Sequence, residues 1–236
     1  MVNQYTVIAW TKEEIKLLKK HYPILGQKVQ QFLPNRTRDQ IDHKIRELDI
    51  HYGLFEKGEE AFLDIETSNL NADFAYMLSY AIKVKDCDIV HSGIITKAEI
   101  FSGEFDKRLV ADCIEVLRKF KRIYTYYGTK FDLSFLRTRA LIHNLEFIPF
   151  GLIQHQDLYY LVRNKLKLSR NRLENVCEAL GVNGKTRLDG HIWVKATIGD
   201  KKSLGYILEH NIQDVLILEK VYNKIKTYAG VQRRSI

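Results

Sequence analysis

The chain has 236 residues, 45% of them hydrophobic, and a formal charge of +8. That is enough apolar material for a real core, and it excludes a disordered acidic chain. Three widely spaced cysteines (Cys87, Cys113, Cys177) with no C-x-x-C exclude a disulfide framework and a zinc knuckle. The basic excess favours an anionic partner, nucleic acid before an acidic membrane surface. The chain opens with no basic and apolar leader and holds no apolar run long enough to span a bilayer, so a soluble, cytoplasmic protein in a reducing compartment is expected.

The first predicted elements are three short helices. Thr11-Lys12-Glu13-Glu14 has the pattern of a capping box, in which side chains satisfy the orphaned N–H groups of a first helical turn. Ile15, Leu18 and Tyr22 follow at helical spacing, and Pro23 and Gly26 are expected to end that helix. Residues 27–33 predict a second helix, stopped by Pro34. Thr37-Arg38-Asp39-Gln40 is another capping box, opening a helix with Ile41, Ile45 and Leu48 inward. From Ala61 the apolar period becomes strand-like. The expected domains are therefore residues 1–52 and 58–230, with a connector marked by Gly53 and Gly58.

The second domain mixes strands and helices. Strands are predicted over residues 60–65, 76–84, 88–96 and 122–127. Helices are predicted over 104–120, 131–143, 171–180 (ended by Gly181) and 203–228. This order predicts an α/β domain with a mixed sheet and helices packed against it.

Acidic residues stand out in three stretches: Phe62-Leu63-Asp64-Ile65-Glu66-Thr67, Tyr126-Tyr127-Gly128-Thr129-Lys130-Phe131-Asp132 and His210-Asn211-Ile212-Gln213-Asp214. A carboxylate within apolar sequence is costly unless something binds it. Alternation along a strand puts Asp64 and Glu66 on one face, with Leu63 and Ile65 on the other. Two like charges on one face are relieved by a cation. Asp132 is expected at a helix start, and His210 and Asp214 share one face of the last helix. Four convergent carboxylates make an oxygen-rich cage suited to magnesium or manganese, and two such ions suit phosphodiester hydrolysis. A nearby imidazole can accept the proton of an attacking water.

The three stretches resemble the motifs of the DEDD exonucleases of the ribonuclease H-like superfamily, including the proofreading domains of family-B DNA polymerases. The resemblance spans about residues 60–226. It implies a ribonuclease H-like mixed sheet flanked by helices and a two-metal 3′–5′ exonuclease. It further implies Asp64, Glu66, Asp132 and Asp214 as metal ligands and His210 as the residue that orients or deprotonates the water. Two departures stand out. Members usually place Tyr three intervening residues before the last Asp, or His four, whereas His210 has three. Many members carry Asn where Tyr127 stands before Gly128.

Trp10-Thr11-x-Glu13-Glu14-Ile15 with Leu33-Pro34-x-Arg36-Thr37-x-x-Gln40-Ile41-x-x-Lys44 resembles a single Myb/SANT-type helix-turn-helix repeat. Trp10 fits one of the repeat's aromatic core positions and Phe32 stands in for another. In such repeats the third helix enters the major groove, here offering Arg38, Gln40 and Lys44, with Arg36 and Thr37 toward phosphate. Many such repeats bind protein instead, so a protein partner stays open.

Lys130, beside Asp132, is a further expected phosphate contact. The basic run Arg163, Lys165, Lys167, Arg170, Arg172 reads either as a nucleic-acid track or as a solvated surface. His155 and Asp157 read as structural. The expected whole is a monomeric metal-dependent nuclease using two Mg2+ or Mn2+ ions, acting on DNA rather than RNA and away from membranes. A structure- or site-selective endonuclease, and an inactive nucleic-acid-binding protein of the same fold, remain alternatives.

Overall fold

The computed structural model describes residues 9–48, 50, 59–184 and 189–229, with the side chains of 23–28 outside that description. The connector expected over residues 51–58 lies outside the described residues, and with it the boundary between the two expected domains.

Helix α1 (Lys12–Leu25) starts at Thr11, whose hydroxyl accepts from Glu14 N while its own N–H donates to Glu14 Oε2. It runs through Pro23 and tightens into a 3-10 helix, Gly26–Phe32, rather than stopping at the proline. Helix α2 (Arg38–Glu47) begins on a reciprocal capping box between Thr37 and Gln40. Leu18, Val29, Leu33, Ile41 and Ile45 form a small core of their own, with Trp10 packed on its margin. Phe32 is half exposed and stacks on His21 at 4.3 Å instead of entering that core.

The larger part is a five-stranded mixed sheet, ordered β3-β2-β1-β4-β5. Strand β1 (Glu60–Thr67) is antiparallel to β2 (Met77–Val84), which is antiparallel to β3 (Val90–Ile94). On its other side β1 runs parallel to β4 (Arg122–Thr125), and β4 parallel to β5 (Gln154–Asp157). Between β3 and β4 lie α3 (Lys97–Ser102) and α4 (Lys107–Leu117). Then come α5 (Asp132–Ile142), α6 (Leu158–Lys165), α7 (Leu173–Leu180), α8 (Gly190–Thr197) and α9 (Lys201–Ile225). Strand β5 and helices α3, α6 and α8 are absent from the sequence reading, which otherwise has the elements in order.

Both sheet faces are covered, as a largely buried central strand requires. Ala61, Leu63 and Ile65 of β1 join a core with Leu109, Cys113 and Leu117 of α4 and Leu133 and Leu136 of α5. Phe62 faces the other way, into a core with Tyr124, Leu161, Val176, Val215, Leu218 and Val221. Helix α9 packs across β1, β2 and β3. Its buried positions 203, 204, 207, 210, 211, 214, 215, 218, 221 and 225 recur at helical spacing, so one stripe faces the sheet, and Ile217 is buried beside it. Among the described residues no helix is long and apolar enough to cross a membrane.

Candidate active site

The site lies where β1, α5 and α9 meet. Asp64 and Glu66 point to the face covered by α9, and their partners across β2 are Ala81 and Ser79. These small residues leave room for α9 to lie close. The β1–β2 register then shifts between Glu66 and Thr67, which ends regular pairing beside the site.

Helix α9 supplies the opposing groups. His210 and Asp214 lie one turn apart on its buried face. His210 Nε2 is 3.6 Å from Asp214 Oδ2 and 4.0 Å from Glu66 Oε1. One ligand atom from each of Glu66, His210 and Asp214 lies within 4.8 Å of the others, a spacing that can hold a metal ion. The unusual spacing of His210 thus still delivers the imidazole to the acidic group. Asn211, fully buried, donates from Nδ2 to Asp64 Oδ2 at 2.6 Å and accepts from Ser79 Oγ at 3.1 Å. It fixes Asp64 against α9. Asn211 is not among the residues expected at the site, although its place between His210 and Asp214 is a usable signal.

Asp132 opens α5. Strand β4 pairs with β1 only as far as Phe62, so the Ile65 N–H is open to another partner, and it donates to Asp132 Oδ1 at 3.1 Å. Burial pushes the Asp132 carboxyl up to about 7, and the charges of Asp157 and Asp214 push the same way; backbone N–H donors oppose them. Asp64 and Asp132 border the Glu66–His210–Asp214 group rather than sharing its spacing.

Asp157 sets the turn that leads to Asp132. Its carboxylate accepts from Tyr127 N at 2.8 Å and Thr129 N at 2.9 Å, and also caps α6 through Tyr159 N. Tyr127 is held at φ 69°, and a Cβ at Gly128 would lie 2.4 Å from Thr125 Oγ1. Only glycine fits the turn at that point. His155 bonds Thr125 at 2.8 Å, a structural role.

The expected nucleic-acid contacts fall in different settings. Lys130 is exposed in the turn before Asp132, and Arg38 is exposed on α2. Gln40 accepts from Thr37 N within the capping box, and Lys44 pairs with Glu47 at 2.6 Å. Arg36 is turned inward: it is 4% exposed, donates twice to Glu14 and once to Ala9 O, and lies 4.4 Å over the Trp10 ring. Burial and the Glu14 pairing hold it in the small core, where the sequence reading had it facing phosphate.

Residues 61–226 match the family model of the RNase_H superfamily. A DNA polymerase of Methanocaldococcus jannaschii is 28% identical over 137 residues, 49% of this chain and 8% of the polymerase. The family B DNA polymerase from the hyperthermophilic archaeon Pyrobaculum calidifontis superposes with a TM-score of 0.56 at 18% identity, over 73% of this chain and 25% of the polymerase chain. The chain therefore spans a quarter or less of these relatives. With the family match covering most of its length and the five-stranded mixed sheet behind it, the chain belongs to the RNase H superfamily.

Proposed function

We propose that the chain is a metal-dependent 3′–5′ exonuclease acting on DNA, with Asp64, Glu66, Asp132 and Asp214 holding two Mg2+ or Mn2+ ions. The observation that carries this reading is the meeting of Glu66, His210 and Asp214 within 4.8 Å, from segments about 145 residues apart in the chain. The donor set fits: carboxylate oxygens are hard ligands suited to these cations, and the imidazole is better placed as a proton acceptor. The polarity and the exonuclease mode rest on the motif resemblance.

Divalent cations bound here supply charge neutralisation at the phosphate and a more acidic water. The protein's own groups do the rest. Asn211 and the Ile65 N–H fix the Asp64 and Asp132 carboxylates before substrate arrives, so little reorganisation is left for the reaction. His210 takes the proton of the attacking water at Nε2, with the Glu66 and Asp214 carboxylates stabilising the imidazolium. Lys130 meets a phosphate at the edge of the site.

The N-terminal helices form, in this reading, a separate Myb/SANT-like module over residues 1–52 that brings DNA to the site through Arg38. The engagement of Arg36, Gln40 and Lys44 with groups of their own module favours a second reading, in which it docks a protein.

The test is digestion of oligonucleotides labelled at either end, of both sugars, with and without magnesium. Shortening from the 3′ end that needs the metal and is lost in Asp64→Asn and Asp214→Asn supports the proposal. Activity surviving those substitutions overturns it. Cleavage of closed single-stranded circles would favour the endonuclease.

A further inference from the structure

Tyr127 holds a left-handed backbone at φ 69°, a conformation that is unfavourable for a residue with a Cβ. The two bonds from Asp157 to Tyr127 N and Thr129 N impose it. Such strain collects at functional sites. Its effect is to present a large aromatic ring that is 44% exposed.

That ring does not stand alone. Tyr159 meets it edge to face at 4.8 Å, and Tyr160 lies 6.4 Å away, tilted by 31°. Tyr126 braces Tyr159 at 5.9 Å, and its hydroxyl donates to Asn171 O. The cluster is therefore a rigid aromatic surface. Arg163 follows Tyr159 by four residues and Tyr160 by three on α6, so it flanks the same helix face, and it is exposed. Lys130 is exposed in the same turn as Tyr127. The surface adjoins the acidic site, because the turn that carries Tyr127 runs directly into α5: Phe131 N donates to Tyr127 O at 3.1 Å, one residue before Asp132.

We propose that Tyr127, Tyr159 and Tyr160, flanked by Arg163 and Lys130, form a stacking platform for an unpaired nucleic-acid strand whose end enters the acidic site. This deepens the nuclease reading and rests on it, since it names the substrate as single-stranded. An exposed ring offers its face only to a base that has left its own stack, and every base has such a face. Cations on the same side take the phosphates that accompany those bases, with no demand on sequence.

The test measures binding without turnover, with the full chain in EDTA and a fluorescein-labelled ten-nucleotide strand, as DNA and as RNA. Tyr127→Asn removes the ring while keeping a residue that tolerates positive φ; Tyr127→Phe keeps the ring. Tyr127→Asn is expected to weaken single-strand binding about tenfold, within the range for losing one stacked base. Tyr127→Phe is expected to bind within about twofold of the parent, and Arg163→Gln to flatten the salt dependence. Wild-type affinity in Tyr127→Asn for both sugars, or a loss in Tyr127→Phe as large as in Tyr127→Asn, overturns the platform. Hydrolysis and binding separate the two ideas. Ring-dependent binding without hydrolysis removes the nuclease reading alone, and hydrolysis with ring-independent binding removes the platform alone.

Discussion

Asn211 Nδ2 donates to Asp64 Oδ2 across 2.6 Å, tying the first acidic strand to the helix that carries His210 and Asp214. The amide is fully buried, and its oxygen accepts from Ser79. One side chain therefore links β1, β2 and α9 at the site. Replacing it with Leu strands the Ser79 hydroxyl and removes the bond that ties Asp64 to α9. The expected result is a loss of about 1–3 kcal/mol in stability, from the buried group left without its partner. Metal-dependent hydrolysis is expected to fall about 10–100-fold, as when an outer partner of a metal ligand is lost. Ser79→Ala, which leaves the Asp64 bond in place, is expected to cost less in rate. Equal rates for Asn211→Leu and the parent at saturating magnesium would sink the argument.

Asp132 gives a pH signature. Its carboxyl is raised from an ordinary 3.8 to about 7, first by burial and then by Asp157 and Asp214. The folded state holds this proton more tightly than the unfolded chain. Its contribution to stability is thus full below about 4 and is lost as pH rises through about 7. The metal-free protein is expected to melt at a lower temperature at pH 8 than at pH 5, and Asp132→Asn to flatten that slope. Magnesium at pH 8 is expected to recover the lost stability, because a cation favours the ionised form. Thermal melts across pH 5–8, with EDTA and with magnesium, check all three. Parallel slopes for parent and variant would refute the assignment.

The sheet and the acidic stretches were legible in the sequence because their patterns are simple. Alternation placed Asp64 and Glu66 on one face of β1, and the four-residue spacing of His210 and Asp214 placed them on one face of α9, the face that is buried. Strand β5 was not legible because Gln154-His155-Gln156-Asp157 is polar yet buried. Partners elsewhere satisfy three of its four side chains: Arg122 reaches Gln154, Thr125 reaches His155, and Tyr127 and Thr129 reach Asp157, whereas Gln156 Nε2 is buried without a hydrogen-bond partner among the described residues. Helix α8 begins with glycine and contains Ile192, Val194 and Thr197, which local preference reads away from helix. Arg36 was misread because an exposed-looking Arg before a helix resembles a phosphate contact. Only the fold brings Glu14 to it.

A buried ionic knot holds the elements on which Asp132 depends. Asp106, fully buried, accepts from Arg139 Nη2 at 2.6 Å, from Met77 N at 2.7 Å, and approaches His143 Nε2 at 2.7 Å. Arg139 also donates to Ala72 O. The knot joins the start of α4, the body of α5, the start of β2 and the loop after β1. Asp106→Ala leaves Arg139 charged and buried without its partner, at an expected cost of about 3–5 kcal/mol. Chemical denaturation reads that loss as a lower midpoint. Below its own transition the variant is expected to keep a measurable hydrolysis rate, since no group of the acidic site is removed. A midpoint within error of the parent would show that the knot adds nothing to the fold.

Glu14 and Arg36 make an acid-sensitive contact in the small N-terminal core, opposite in sign to the effect at Asp132. The Arg36 guanidinium, followed by the Thr11 N–H, holds Glu14 at about 2, below its ordinary 4.5. A depressed carboxyl stabilises the fold above about 4.5, and that contribution is lost as pH falls through about 2. Arg36 lies 4.4 Å over Trp10, so the indole reports the event. In a Trp193→Phe background, Trp10 emission is expected to change between pH 4.5 and 2, and Glu14→Gln to show the changed emission already at pH 7. The same pair separates structure from binding. Arg36→Gln is expected to lower the melting temperature, whereas the exposed Arg38→Gln is expected to leave it unchanged and to reduce the salt slope of DNA binding by about one. A slope reduced by Arg36→Gln but not by Arg38→Gln would reverse the two roles.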